Sequence, residues 1–197
     1  MKQINIKGDI ISNDEAWIYE YLKMEAVSPK MVINALPSNN EPIKIIINSG
    51  GGSVFAGYEI YNTLRTYQGN VIVEIHGLAA SIASVIAMAG DIVKMSPLSQ
   101  IMIHNASTSA RGDYRTMDYN SEVLKKTNIT ISKAYALKSG KSESYFLELM
   151  NKESWITSDE ALEIGLIDEI MYQDISKRDK EKLKAQLNLL KLKRKCV

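Results

Sequence analysis

Gly77-Leu-Ala-Ala-Ser-Ile-Ala-Ser-Val-Ile-Ala-Met-Ala-Gly90 is almost wholly apolar, rich in small residues, and broken early by the hydroxyl of Ser81. The run before it, Val71-Ile-Val-Glu-Ile75, is short and β-branched and reads as a buried strand. The run after Ser81 favours helix, and Gly77 supplies a sharp turn between the two. Ser81 then sits where strand gives way to helix. Its Oγ is exposed at a corner, beside the unpaired N–H groups of a helix start. Those are the conditions for a nucleophile next to an oxyanion site. Plainer readings compete. A serine at a helix start is commonly an N-cap, and small residues in a buried helix commonly serve packing. A membrane span is excluded, because it needs about 20 apolar residues and His76 and Asp91 bound the stretch. Taken alone, the stretch favours the structural roles, so other segments must decide.

Composition sets the frame. The 197 residues fit one domain with an appendage, and a hydrophobic content of 45% suffices for a core. The net charge is only +1, but it is uneven: residues 172–197 hold nine Lys or Arg against three Asp or Glu, +6, which leaves −5 for residues 1–171. The basic end has no aromatic after Tyr172, so it reads as a solvated helix or disordered tail, with Leu183, Leu187 and Leu190 as a weak stripe. Nucleic acid is not an expected partner. The single Cys196 excludes an intrachain disulfide, and Met1-Lys-Gln-Ile-Asn-Ile is no signal-peptide core. A soluble cytoplasmic protein with no membrane partner is expected.

Read from the N-terminus, Ile4 and Ile6 alternate with polar residues as a strand ending at Gly8. Ser12 or Asn13 caps a helix with Trp17, Tyr21 and Leu22 on one side, and Ser28-Pro29 starts another. Ile43-Lys-Ile-Ile-Ile-Asn48 is a buried strand running into Ser49-Gly-Gly-Gly-Ser53, and a helix with Ala56, Ile60 and Leu64 on one face follows. Strand, glycines, helix presents backbone N–H groups to an anion. The spacing is neither a dinucleotide fingerprint nor a P-loop. The second unit, 71–90, repeats the architecture, and two such units in tandem predict an α/β layered fold. Gln100-Ile-Met-Ile-His-Asn105 is a strand ending in His104, well placed for chemistry at a loop. A long amphipathic helix over 114–137 carries Met117, Leu124, Ile131 and Tyr135 on one stripe, and its polarity elsewhere predicts that it projects. Ser142 caps a shorter helix, Thr157 and Glu160 form a capping box, Gly165 ends that helix, and Leu166-Ile167 returns to strand.

Four separated segments coincide with one pattern: Ile47-Asn-Ser-Gly-Gly-Gly-Ser-Val, Gly77-Leu-Ala-Ala-Ser-Ile-Ala, Met102-Ile-His-Asn, and Trp155-Ile-Thr-Ser-Asp-Glu-Ala-Leu-Glu-Ile-Gly-Leu-Ile-Asp. Their order and spacing resemble the Clp protease proteolytic subunit (ClpP) family of serine peptidases, nearest to its phage head-maturation or prohead protease branch. The resemblance covers about 4–170. It implies a ClpP/crotonase-like α/β spiral of strand–turn–helix units over 1–171, with a helical handle at about 107–150, followed by the 172–197 tail. It implies Ser81 as nucleophile, His104 as general base, and the N–H groups of Gly52 and Ile82 as the oxyanion hole. The family's third member is an aspartate. Glu153 stands at the matching position here, with Asp159 and Asp168 as fallbacks. No cofactor or metal is implied. Protein or peptide substrates and a homo-oligomer of one heptameric ring or two stacked rings are. The chain starts directly at its first strand, where cellular members carry a segment that docks a ring ATPase, so an ATP-independent peptidase acting on phage capsid or scaffold protein is expected, in the host cytoplasm. Two alternatives stand beside it. A crotonase-type acyl-CoA enzyme needs no serine and histidine together, and a catalytically inactive ring subunit would follow if Glu153 marks a degenerate site.

Overall fold

The isoleucine-rich runs of the N-terminal half become the strands of a single parallel array. In the computed structural model, which describes residues 1–173, the elements follow in this order: β1 (Lys2–Ile10), α1 (Ala16–Leu22), β2 (Ala26–Val27), α2 (Pro29–Ala35), β3 (Ile43–Gly52), α3 (Val54–Thr66), β4 (Val71–Ala80), α4 (Ile82–Ala87), β5 (Ile92–Met95), β6 (Gln100–Ile103), α5 (Tyr114–Ser139), α6 (Glu143–Asn151), β7 (Ser154–Thr157), α7 (Ser158–Ile164) and β8 (Glu169–Ile170). The expected basic tail lies almost entirely outside the described residues. The sheet runs β2-β1-β3-β4-β5-β8 with parallel pairings, and helices return between the strands. The class is α/β.

β4 takes two partners in succession beyond β3. Its first half, Ile72 to Ile75, pairs with β5, and its second half, Leu78 to Ala80, pairs with β6, which carries the antiparallel β7. The switch happens at an irregularity. β3 and β4 are matched at Ile47↔Ile75 but at Ser49↔Ala79 two residues on, so β4 holds two extra residues there. Asn48 fills the gap, its Oδ1 accepting the Leu78 N–H at 3.0 Å. A Cβ on Gly77 would lie 2.5 Å from that oxygen. Gly77 is therefore required for close approach of a side chain. The expected turn at Gly77 is corrected: the strand continues to Ala80 and the chain turns at Ser81. The glycine run is corrected likewise, since it remains strand as far as Gly52, paired to Ile10 of β1.

The core is the interface of this sheet with α3 and α4. Ile45, Ile47, Val73 and Ile75 are fully buried, as are Ile60, Ala83 and Ile86. α3 and α4 meet so closely that a Cβ on Gly57 would fall 2.1 Å from Cγ1 of Ile82. That contact fixes the start of α4.

The long helix divides into two parts. Tyr114 to Thr130 bury no side chain, whereas Ile131, Ser132, Ala134 and Tyr135 are buried. α6 adds buried Phe146 and Met150. Within the 107–150 stretch expected as a handle, every buried side chain therefore lies from Ile131 onward. α1 buries nothing, and Trp17, Tyr21 and Leu22 are exposed. Ser12 does not cap α1. Its N–H and hydroxyl donate to the carboxylate of Glu15, the residue at the cap position. The capping box of Thr157 and Glu160 and the left-handed Gly165 stand as read. The strand expected at Leu166-Ile167 lies at Glu169–Ile170 instead.

Candidate active site

Strand pairing brings the ends of β4 and β6 together. Ala80, the last residue of β4, is matched to Met102 of β6, so the residues just beyond both strand ends meet. The Ser81 N–H donates to the Met102 carbonyl at 2.9 Å, which locks the two ends together. Ser81 adopts φ 53° and ψ −128°, a conformation costing of order 1–3 kcal/mol for a residue with a Cβ. The plain reading of Ser81 as a side-chain N-cap does not hold, since its hydroxyl makes no cap bond to α4. The Oγ instead lies 2.8 Å from Nε2 of His104. α4 is only six residues long, so the local amide groups at its start matter more than a summed helix dipole.

The glycine run lies against this corner. A Cβ on Gly51 would be 2.8 Å from the Ser81 Cβ and 3.3 Å from its Oγ. A Cβ on Gly52, at φ +145°, would be 2.1 Å from the Ile10 carbonyl oxygen. Gly50 meets nothing within 4 Å. Two of the three glycines are thus dictated by space. Ser49 braces the run: its hydroxyl donates to the Gly8 carbonyl at 2.6 Å and accepts the Gly51 N–H at 3.1 Å. The Ile10 carbonyl takes the Ser53 N–H at 2.7 Å. Ile82 is buried as the first residue of α4, where a helix N–H has no partner within the helix.

The acids are placed differently. Ile103 of β6 is matched to Ser154 of β7, so the next step of that antiparallel ladder sets Glu153 opposite His104. Its backbone is left-handed at φ 51°, its side chain is exposed, and no hydrogen bond joins it to His104. Among the described residues, Ser81 is the sole side-chain hydrogen-bond partner of His104. Asp168 is committed elsewhere, accepting from the Val93 N–H and from Lys138 at 2.7 Å each. Asp159 is exposed in the first turn of α7. The other histidine, His76, lies 3.0 Å from Glu74 on the exposed part of β4. Asn105, beside His104, donates to Asn151 at 2.9 Å and so ties the end of β6 to α6. Nothing in the sequence marks that pair.

A cleft of about 300 Å³ opens beside Gly52. Val54 and Phe55 line one wall, Ala106 the strand side, and Val123 and Leu124 of α5 the other. Ser53, Ser107, Thr108, Asn120 and Thr127 complete the lining, so the cleft is apolar with polar edges. Among the described residues, no group of three or more His, Cys, Asp or Glu is placed to hold a metal. No helix there is long and apolar enough to cross a membrane.

A family model described as Clp protease matches residues 15–174. The chain is 31% identical over 141 residues to the ATP-dependent Clp protease proteolytic subunit 1 of Chlamydia abortus, covering 70% of this chain and 73% of that one. It is 36% identical over 131 residues to the ATP-dependent Clp protease proteolytic subunit of Bacteroides fragilis, 66% of this chain and 63% of that one. The corresponding subunit of Deinococcus radiodurans is 33% identical over 143 residues, 72% and 70% of the two chains.

Proposed function

Because this chain belongs to the Clp protease family of serine peptidases, we propose that it cleaves peptide bonds through an acyl-enzyme on Ser81. His104 Nε2 takes the Ser81 proton as Oγ adds to the peptide carbonyl. The N–H groups of Gly52 and Ile82 hold the oxyanion. The proton passes from His104 to the leaving amine, and the C–N bond breaks to leave an ester on Oγ. Water, deprotonated by His104, releases the acid and restores the hydroxyl. The 2.8 Å contact between Oγ and Nε2 on a strained strand-to-helix corner carries this reading. It also favours a peptidase over an acyl-CoA enzyme, which has no use for the pair. Glu153 is the acid for the imidazole, supported by its ladder position opposite His104. Substrates present an apolar side chain to the cleft beside Gly52.

The natural substrate on this reading is phage capsid or scaffold protein, cleaved without ATP, which rests on the resemblance to the head-maturation branch. The named relatives are ATP-dependent subunits, so hydrolysis of an unfolded protein with and without ATP and a ring ATPase separates the two. Labelling by a fluorophosphonate probe, followed by peptide mapping, tests the site. The adduct is expected on Ser81 alone. An adduct elsewhere, or none on protein that assembles normally, overturns it.

The copies form a ring, heptameric or stacked in two. The exposed Met117 on the first half of α5 and the unburied α1 are the surfaces such an assembly would cover. Light scattering at micromolar concentration is expected to give a mass several times that of one 22.0 kDa chain. A monomer would exclude the ring.

A further inference from the structure

Ser84 lies one turn into α4 and is fully buried. Its hydroxyl sits 2.5 Å from the Ser81 carbonyl oxygen and 2.7 Å from the hydroxyl of Tyr135. The direction of both bonds follows from chemistry. A carbonyl only accepts, so the single Ser84 proton goes to Ser81, and Tyr135 must be the donor to Ser84. Tyr135 is buried on α5 and packs against Phe146 with the rings tilted by 39° and 5.4 Å between centroids. Burial pushes its phenol well above the ordinary tyrosine range, which keeps the donating proton in place. The Ser81 carbonyl also accepts the Ser84 N–H at 3.0 Å.

The carbonyl held in this way belongs to the Ser81–Ile82 peptide unit. That unit is planar and trans, so its N–H points opposite to its C=O. Fixing the carbonyl fixes the direction of the Ile82 N–H. Hydrogen bonds accepted by the carbonyl also polarise the amide and make its N–H a stronger donor. We propose that Tyr135 and Ser84 form a two-hydroxyl relay that aims and polarises the Ile82 N–H toward the oxyanion. Tyr135 is then a positioning residue, and it ties the active site to the long helix. The inference rests on the assignment of Ser81 and Ile82 given above.

The experiment compares Tyr135→Phe, Ser84→Ala and the double variant in the assembled protein. Tyr145→Phe serves as control, since Tyr145 packs edge-on against the same Phe146 without touching the relay. Each is assayed with a fluorogenic peptide, and each is titrated with a peptide boronate, which adds to a serine Oγ as a tetrahedral anion. Tyr135→Phe is expected to lower kcat about five- to tenfold, the scale of one buried hydrogen bond, with KM within about twofold. Boronate affinity falls by the same factor, because the lost interaction belongs to the tetrahedral state. The double variant matches Ser84→Ala, because Tyr135 acts only through Ser84. Wild-type kcat and boronate affinity in Tyr135→Phe, or losses that multiply in the double variant, overturn the relay. If wild-type protein takes boronate normally, that failure leaves the nucleophile assignment untouched. If wild-type protein takes no boronate, both fall together.

Discussion

Ser81→Ala is expected to reduce peptide hydrolysis by about 10³–10⁶-fold, to whatever binding and the oxyanion donors sustain without a nucleophile. His104→Ala should fall in the same range, because the two groups act as one unit. Removing both should then cost little more than removing either. The graded member is Glu153. If it orients the imidazole, Glu153→Ala lowers kcat by about 10²–10⁴-fold, as loss of the acid does in comparable triads. If the pair works alone, that variant stays near wild type while the other two remain dead. Hydrolysis near the native rate in Ser81→Ala would remove the proposed mechanism outright. The corner itself should survive these changes. Ser81 makes no capping bond, and its backbone is held by Met102 and Ser84 independently of its Oγ. A fall in melting temperature is therefore not the expected reason for lost activity.

What could be read from the residues follows the range of the interactions involved. α3 declares its buried face through Ala56, Ile60 and Leu64, and α7 declares both ends through Thr157, Glu160 and Gly165. Those signals lie within a few residues of each other, where backbone geometry alone decides. In the sequence, only the resemblance across separated motifs joins Ser81 to His104. In the structure their meeting arises from one pairing, Ala80 with Met102, that no local pattern encodes. Gly77 shows why local reasoning fails at this site. A glycine before a small-residue helix suggests a turn, yet its lack of a side chain makes room for Asn48, a residue on another strand. The turn falls on Ser81, a residue with a Cβ in a conformation that intrinsic preference disfavours.

The same limit explains the long helix and the acid. A seven-residue stripe over Met117, Leu124 and Ile131 predicts one continuous face. The structure splits it, because the buried side chains begin only at Ile131, where the helix meets α4 and α6, while the first half makes looser contacts such as the Tyr58 hydroxyl on the Thr127 carbonyl and the Ala106 N–H on Asn128. Glu153 is set by the register of β6 on β7, a four-residue strand that runs directly into α7 with no turn residue to mark its end. Its backbone stands one ladder step beyond Ser154, opposite His104, and no hydrogen bond joins its carboxylate to the imidazole.

Gly52→Ala is expected to remove both activity and stability, and Gly50→Ala neither, although the two glycines are nearly adjacent. At Gly52 the added methyl would lie 2.1 Å from the Ile10 carbonyl oxygen and 2.9 Å from its nitrogen. Both atoms belong to backbone held in the β1–β3 ladder, so neither yields by rotating a side chain. The φ of +145° adds strain for any residue with a Cβ. Together these place the loss at about 3 kcal/mol or more, among the large values for single substitutions. For a domain of this size that lowers the melting temperature by roughly 6–12 °C. Whatever folds should have the 50–53 backbone displaced. Losing one oxyanion donor alone then reduces kcat by about 10²–10³-fold. At Gly50 a Cβ meets nothing within 4 Å and the backbone is not left-handed. Its alanine variant should stay within about 0.5 kcal/mol of the parent and keep its rate. Thermal melts and peptide hydrolysis on the pair give the answer. Equal behaviour of the two variants would mean that the glycine run does not lie against Ile10 and Ser81 as described, and the oxyanion assignment of Gly52 would go with it.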